Sequence, residues 1–196
     1  WRLASLREGR QFFISRPRRF GKSLMLSTLK CIFEGKRGLF KGLKIEKKKY
    51  DWKTYPVVML DMSKAKGETP DELKAALGSV VDGAAAAFGL KIAKGKSAGV
   101  KFGEFLDALY AKHGEYVVLV DEYDVPIQGF FGDSKALLRV RQIMHDFYIN
   151  LKNHSGDIRF LMMTGVTKLT KMSVFSGLNH LNDLTMNFPR YAALLG

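Results

Sequence analysis

The sequence predicts an α/β domain of three layers, with helices on both faces of a mainly parallel sheet. Near-continuous apolar runs are typical of parallel strands buried on both faces, and such runs occur at residues 56–63, 116–120 and 158–163. Segments with apolar residues at helical spacing separate these runs. The chain has 196 residues, of which 46% are hydrophobic and 26% are charged. This length and composition suit one such domain with a sizeable core.

The predicted elements can be placed in chain order. Strands are predicted at residues 11–14, 56–63, 116–120, 158–165 and 181–186. Helices are predicted at residues 22–34, 70–87, 102–113 and 134–153, with further helical segments at 1–8 and from 187 onwards. Thr69 and Pro70, followed by acidic residues, are typical of a helix start, and Gly35 is typical of a helix stop. Loops are predicted at 95–99 and 167–177, and residues 44–55 show no assignable pattern.

A phosphate-binding loop is predicted at residues 14–23, between the first strand and the first helix. Gly21, Lys22 and Ser23 match the end of the pattern Gly-x-x-x-x-Gly-Lys-Ser/Thr, whereas Arg16 stands at the first glycine. Gly21 permits a tight turn with inward N–H groups, and the helix start adds positive charge. Lys22 would reach the β- and γ-phosphates, and the Ser23 hydroxyl would hold Mg²⁺. The alternative is a basic turn between two core elements, because Gly-Lys-Ser alone is common.

A second motif lies at residues 116–124, where an apolar strand runs directly into acidic residues, as in a Walker B strand. In that arrangement Asp121 binds Mg²⁺ directly or through water. Glu122 lies beside the γ-phosphate, where its carboxylate could accept a proton from the attacking water. A strand that ends in a polar turn would explain one acid, but not its pairing with an upstream phosphate loop.

The strand at 158–165 ends in a hydroxyl side chain. In ATPases with an extra strand between the phosphate-loop strand and the Walker B strand, a polar residue at this place orients the attacking water. Thr164 is the first candidate for that role and Thr167 is the second.

The positive charge of the chain is concentrated near its start. The net charge is +13, and residues 1–50 hold 15 Lys and Arg against 3 acidic residues, which leaves +1 for the remainder. One face could therefore attract phosphate polymers, and nucleic acid is a candidate partner. The alternative is a solvated basic surface, since no aromatic residues alternate with these lysines as a stacking platform would need.

Other classes of protein are disfavoured by the composition. Cys31 is the single cysteine, so neither a disulfide framework nor a cysteine metal site can form within this chain. The sequence has no membrane-length apolar run and no visible leader. These observations predict a cytoplasmic protein with no membrane partner. Because the chain begins at Trp1 rather than Met, we expect it to be an excerpt of a longer protein.

With these residues in view, the sequence resembles the predicted AAA-ATPase-like family of bacteria. The resemblance rests on residues 13–24, 120–124, 164–168 and 174–179 and covers nearly the whole chain. The Arg-Pro-Arg-Arg-Phe-Gly-Lys-Ser form of the loop is characteristic of that family, so Arg16 is not a departure within it. Members are often fused to a C-terminal domain similar to PD-(D/E)XK nucleases.

The resemblance implies one ATPase domain over residues 1–196, a P-loop NTPase sandwich with strand order 5-1-4-3-2. It implies ATP and Mg²⁺ as ligands, Glu122 as catalytic base, and Asp121 with Ser23 as metal partners. It further implies Lys22 as a phosphate-binding catalytic residue and Thr164 as sensor. The cofactor-binding loop is then expected to comprise Arg18, Arg19, Phe20, Gly21, Lys22, Ser23 and Leu24, in which Arg18 and Arg19 contact phosphate or cap the loop.

The expected function is Mg²⁺-dependent ATP binding and hydrolysis that powers or gates an attached nuclease-like effector, with an oligomer as one possible assembly. One alternative is a nucleotide-binding switch with little turnover. Another is a nucleic-acid-binding module built on the basic first quarter, and a small-molecule kinase shares the phosphate loop.

Overall fold

A computed structural model describes residues 4, 10–48, 50–167, 178 and 181–185. Its five strands form one sheet, and every paired neighbour is parallel. In chain order the strands are β1 (Gln11–Ser15), β2 (Val57–Asp61), β3 (Tyr116–Asp121), β4 (Ile158–Gly165) and β5 (Asn182–Asp183). Across the sheet the order is β2-β3-β4-β1-β5, which is the predicted order 5-1-4-3-2 read from the other edge. The predicted fold class is confirmed.

Helices occupy the connections between the strands. They are α1 (Lys22–Phe33), α2 (Pro70–Ala87), α3 (Ala98–His113), the short α4 (Val125–Gln128) and α5 (Ser134–Asn153), with 3-10 turns at Arg37–Phe40 and Met62–Lys64. Thr69 caps α2 as predicted, because its hydroxyl accepts a hydrogen bond from Glu72 N. Helix α3 begins at Ala98, before its predicted start at residue 102, because the Ser97 hydroxyl accepts from Val100 N and caps it earlier.

The sheet is covered on both faces, which gives the predicted three layers. Alternate strand residues, among them Phe13, Val118 and Leu161, pack with α2, α3 and α5 in one core. The intervening residues, among them Phe12 and Phe160, pack with α1 in a second core. Full burial of each large apolar side chain stabilises the fold by roughly 1.5–3 kcal/mol before entropy is counted. The buried strands therefore provide a rigid base for the loops at their carboxyl ends.

The carboxyl ends of the three central strands lie side by side. Ser15 at the end of β1 is aligned with Gly165 at the end of β4, and Val120 of β3 is aligned with Met163 of β4. Ligands of open parallel sheets bind at this edge, just beyond the carboxyl ends of the strands. The loop into α1 and the acidic residues after β3 both start from it.

Some predicted segments lie outside the described residues: the helical segment at 1–8 apart from residue 4, the loop after Thr167, and the helix from 187 onwards. Strand β5 covers the middle of the predicted strand at 181–186. Within the part of the chain that the structure describes, no helix combines the length and the apolar character that a membrane span requires.

Candidate nucleotide-binding site

The loop between β1 and α1 turns through two left-handed residues. Gly21, at the N-cap of α1, has φ 69° and ψ 12°, the conformation for which glycine is suited. Arg19 has φ 67°, which costs a non-glycine residue roughly 1–2 kcal/mol. No side chain of the described residues caps α1. The first N–H groups of this helix are therefore left for solvent or an anion.

Arg16 occupies the position of the usual first glycine without needing a left-handed backbone. The described non-glycine residues with positive φ are Arg19, Trp52 and Glu122, so Arg16 has ordinary backbone geometry. Its N–H donates to Gly165 O at 3.1 Å, which ties the entrance of the loop to the end of β4. Its Nη1 atom is buried and has no hydrogen-bond partner among the described residues. An anionic oxygen would satisfy this donor, because a buried unpaired N–H is costly.

Lys22 lies inside the loop rather than on its surface. The side chain is buried, and Nζ donates to Arg16 O at 2.9 Å and to Pro17 O at 2.8 Å. An ammonium group has a third donor, which these carbonyls do not use. Lys22 therefore holds the loop closed and keeps a positive charge at its centre.

The other predicted residues of the loop are accessible. Arg18, Arg19, Phe20, Ser23 and Leu24 are all exposed. The exposed fractions of Phe20 and Leu24 are 49% and 71%, which is high for apolar side chains. The Ser23 hydroxyl makes no hydrogen bond within the described part of the chain and is open to a ligand. These positions fit a surface that faces a ligand.

Asp121 and Thr164 lie in direct contact at the ends of β3 and β4. The Thr164 hydroxyl donates to Asp121 Oδ1 at 2.5 Å, and Glu122 N donates to the same oxygen at 3.1 Å. Both side chains are buried. A short bond to a carboxylate is among the stronger hydrogen bonds in proteins. The structure thus brings together the predicted metal ligand and the predicted sensor.

Glu122 is the first residue beyond β3 and has φ 53°. This left-handed conformation costs a non-glycine residue about 1–3 kcal/mol and is found at functional sites. The Glu122 side chain is partly exposed. Among the described residues no cation forms an ion pair with its carboxylate, so the group can meet a ligand or water.

Strand β4 connects the two predicted motifs, because it lies between β1 and β3 in the sheet. At its end, Thr164 bonds Asp121 on one side, and Gly165 O accepts from Arg16 N on the other. The loop with Lys22 and Ser23 therefore follows the strand on one side of β4. Asp121 and Glu122 lie at the end of the strand on the other side. The predicted site residues gather at one edge of the sheet around the end of this strand.

Sequence reasoning missed the roles of Tyr123, Asp124 and Gly165 in this edge. Asp124 is fully buried, and its carboxylate accepts from Val166 N at 3.2 Å and from Thr167 N at 2.8 Å. The Tyr123 hydroxyl donates to Thr167 O at 2.6 Å. The second aspartate of the Asp-Glu-Tyr-Asp run was the available signal, because an acid just beyond a functional pair needs its own explanation.

Gly165 leaves the space that Tyr123 and Asp124 occupy. A Cβ atom there would clash with the Tyr123 ring and would lie 2.6 Å from Asp124 Oδ1. Burial, with the nearby Asp124 charge, raises the pKa of Tyr123 above its ordinary range. The folded protein therefore holds the phenol proton more tightly than a free tyrosine does, and the hydroxyl donates it to Thr167 O.

The donor set suits one type of metal better than others. Within the described residues, no group of three or more His, Cys, Asp or Glu side chains could hold a metal ion. A carboxylate and a hydroxyl that share a cation with phosphate oxygens are typical of Mg²⁺ in nucleotide sites. Asp121 and Ser23 are the carboxylate and the hydroxyl that could hold a metal ion in this way.

A cavity of about 940 Å³ lies elsewhere, along the edge strand β2 between α1 and α2. Its lining includes Val57, Met59, Ala76 and Gly83. None of the predicted site residues lines it. The candidate nucleotide site thus lies at the carboxyl ends of the central strands and not in this cavity.

The all-parallel sheet, its strand order and the Gly-Lys-Ser loop after β1 define a P-loop-like α/β sandwich. The model of the family described as Predicted AAA-ATPase matches residues 3–175. The chain belongs to this family.

One relative is an uncharacterized protein in the vnfD 5' region of Azotobacter chroococcum mcd 1. It is 35% identical over 196 residues, which is 99% of this chain. The chain spans 37% of the length of that relative. No solved structure matches this chain significantly.

Proposed function

We propose that the chain is a domain that binds and hydrolyses ATP with Mg²⁺. The observation that carries the proposal is the end of β4, where Thr164 bonds Asp121 and Gly165 bonds Arg16. This strand end joins the phosphate loop to the acidic pair, as an ATPase site of this topology requires. Membership of a family of predicted ATPases supports nucleotide binding independently.

The residues of the loop fit a triphosphate. Lys22 has a donor left over, Arg16 Nη1 is buried without a partner, and α1 begins without a side-chain cap. Each of these groups gains from a negatively charged oxygen. Exposed Arg18 and Arg19 add positive charge at the rim of the loop. Together they bind and orient the phosphate chain in the proposal.

Asp121 and Ser23 would hold Mg²⁺. The ion, when bound, neutralises phosphate charge and so favours transfer of the γ-phosphoryl group to water. The Thr164 hydroxyl and the Glu122 N–H both donate to Asp121 Oδ1. The same bonds fix the direction in which the carboxylate points.

Glu122 is the general base of the proposal. It directly follows Asp121, the proposed metal ligand, and has a left-handed backbone. Its carboxylate has no cation partner among the described residues. It would accept the proton of the attacking water. Thr164 orients that water in the proposal and Thr167 remains the second candidate.

Calorimetry of ATP binding, with and without Mg²⁺, tests the phosphate loop directly. Lys22→Ala should abolish measurable binding, because it removes the charge at the centre of the loop. Lys30→Ala is a matched control on the same helix, since Lys30 pairs with Glu34 on the surface. Equal ATP affinity in the wild type and Lys22→Ala would refute the proposed loop function.

Turnover is tested on the full-length protein. Glu122→Gln should reduce ATP hydrolysis by about a hundredfold or more while it preserves binding, because it removes only the base. Rapid steady-state turnover by the wild type would exclude the alternative of a switch with little hydrolysis. Unchanged turnover in Glu122→Gln would show that Glu122 is not the base.

The proposal includes an effector domain attached to this domain in the longer protein. The chain covers 37% of its relative, so a longer protein has room for a further domain. We propose that ATP binding by this domain powers or gates a nuclease-like effector. DNA cleavage by full-length protein should depend on ATP and should be lost in Lys22→Ala, and cleavage without ATP would contradict this coupling.

A second candidate function, nucleic-acid binding, is favoured by the exposed basic segment between α1 and β2. Its exposed cations among the described residues are Lys36, Arg37, Lys41, Lys44, Lys47, Lys48 and Lys53. Replacing Lys41, Lys44 and Lys47 by Gln should weaken DNA binding and make its salt dependence less steep. Binding that does not weaken with salt would contradict this candidate.

A further inference from the structure

The residues after β3 are joined to the residues at the end of β4 by hydrogen bonds that lie just outside the proposed catalytic groups. Tyr123 N donates to Thr164 O at 3.0 Å, and the Tyr123 hydroxyl donates to Thr167 O at 2.6 Å. The Asp124 carboxylate accepts the N–H groups of Val166 and Thr167. We call Tyr123 and Asp124 the latch.

We infer that the latch positions Thr164 and Glu122 for catalysis, so that Tyr123 and Asp124 are positioning residues of the ATPase site. The inference rests on the proposed function, because it concerns the geometry of that site. It assigns a task to two residues that have no role among the proposed phosphate-binding, metal-binding and catalytic groups.

Asp124 is a buried carboxylate that accepts hydrogen bonds from the backbone just after β4. Its exposed fraction is 0%, and a buried carboxylate is costly unless donors compensate for lost water. The compensating donors are backbone N–H groups of the segment that follows Thr164 and Gly165. The charge is therefore stable only while that segment keeps its position, and it holds the segment there in return.

Tyr123 acts on both sides of the site. Its N–H bonds Thr164 O, directly behind the hydroxyl that bonds Asp121. Glu122 immediately precedes it and has a left-handed backbone, a conformation that persists only when its surroundings hold it. The bond of Tyr123 N to Thr164 in β4 and the bonds of Asp124 to Val166 and Thr167 just after β4 supply that restraint. Loss of the latch should therefore release the base and the sensor together.

Helix α5 supports the latch from behind. The Tyr148 hydroxyl donates to Tyr123 O at 3.0 Å, and Tyr148 is buried. Gly165 contributes space, because a Cβ atom there would clash with the Tyr123 ring. Tyr148 in the core thus supports the latch on one side. On the other side the latch packs against Gly165, which has no side chain at the point of contact.

The gentlest test is Tyr123→Phe in the full-length protein, which removes one hydroxyl and keeps the ring. We expect kcat for ATP to fall by about tenfold with little change in KM, because misplaced catalytic groups lower the rate more than binding. Tyr116→Phe is the matched control, since the Tyr116 hydroxyl is buried without a hydrogen-bond partner among the described residues. Equal kcat in both variants would overturn the inference.

Asp124→Ala and Asp124→Asn test the carboxylate. Asn keeps an acceptor for one of the N–H groups, so it should retain more activity than Ala. Asp133→Ala is the control, because Asp133 likewise accepts backbone N–H groups, from Lys135 and Ala136, but caps α5 on the surface. If Asp124→Ala and Asp133→Ala lower kcat equally, the effect is general destabilisation and the inference is wrong.

Amide hydrogen exchange supplies a readout that does not depend on turnover. In Asp124→Asn the amides of Val166 and Thr167 should exchange at least about tenfold faster than in the wild type, while amides in α2 are unchanged. Unchanged exchange at Val166 and Thr167 would overturn the latch. A wild type that binds ATP without hydrolysing it would refute only the proposed hydrolysis, and the exchange result would still decide whether the latch exists.

Discussion

The Thr164 hydroxyl donates a 2.5 Å hydrogen bond to Asp121 Oδ1 across the β3–β4 pair. It connects a residue proposed to orient water with a residue proposed to hold Mg²⁺. Because both side chains are buried, water does not compete for the bond. A change at Asp121 should therefore alter the surroundings of Thr164, and the reverse.

Thr164→Val keeps the shape of the side chain and removes this bond. Hydrogen bonds to charged groups contribute about 1.5–3 kcal/mol, so the free energy of unfolding should fall by an amount in that range. ATP turnover should fall further than ATP affinity, because Asp121 loses a partner that orients it. Denaturant unfolding and steady-state kinetics measure the two effects.

Thr28→Val is the matched control for this change, since the Thr28 hydroxyl donates to Leu24 O on the exposed face of α1. The free energy of unfolding of Thr28→Val should differ little from that of the wild type. If Thr164→Val and Thr28→Val behave alike in both measurements, the bond to Asp121 has no special role.

Gly165→Ala should destabilise the protein, because the added Cβ meets the Tyr123 ring and Asp124 Oδ1 in a buried contact. Overpacking of this kind costs about 1–3 kcal/mol. Gly129→Ala is the control, since a Cβ at Gly129 would meet no atom within 4 Å. Thermal unfolding compares the two, and a Gly165→Ala variant as stable as the control would show that the end of β4 can move aside.

The strands were predictable because their signals are local, and the residues of the proposed site were chosen from local signals as well. Apolar runs mark buried parallel strands, and Gly21, Lys22 and Asp121 stand at fixed places relative to strand ends. The strand order was not contained in any local pattern and followed from the family resemblance. Arg16 stands at the first glycine of the general pattern, and the structure places the left-handed backbone at Arg19 and Gly21 instead.

The latch was not predictable, because its bonds join residues that are distant in sequence. Asp124 and Thr167 are 43 positions apart, and nothing in either local sequence indicates the other. Likewise, the requirement for glycine at 165 arises from the Tyr123 ring, which approaches it only in the folded chain. Residues that support a site through tertiary contacts of this kind cannot be found from local patterns, whereas residues at strand ends and loop motifs can.

The start of α2 offers a test of a feature read directly from sequence. The Thr69 hydroxyl accepts a hydrogen bond from Glu72 N, so Thr69→Ala removes the cap. Loss of an N-cap of this type costs about 1 kcal/mol. Thr69→Ser, which keeps the hydroxyl, should restore the stability measured by denaturant unfolding. Equal losses in Ala and Ser variants would indicate that the methyl group matters and the cap does not.

Tyr50 should make the fold sensitive to strongly alkaline solution. Burial, with a smaller contribution from Asp51, raises the pKa of Tyr50 to about 12, above the value of about 10 for a free tyrosine. A raised pKa of a neutral acid means that the folded state holds the proton more tightly than the unfolded state. The stability from this group is therefore complete below about pH 10 and is lost as pH rises through about 12.

Tyr50→Phe should accordingly reduce the loss of unfolding free energy between pH 10 and 12. Tyr110→Phe is the control, because 44% of Tyr110 is exposed. Denaturant unfolding at a series of pH values gives the slope for each variant. If both substitutions leave the slope of the wild type unchanged, ionisation of Tyr50 is not coupled to folding, and the contact of its ring with Trp52 would have to persist in the ionised form.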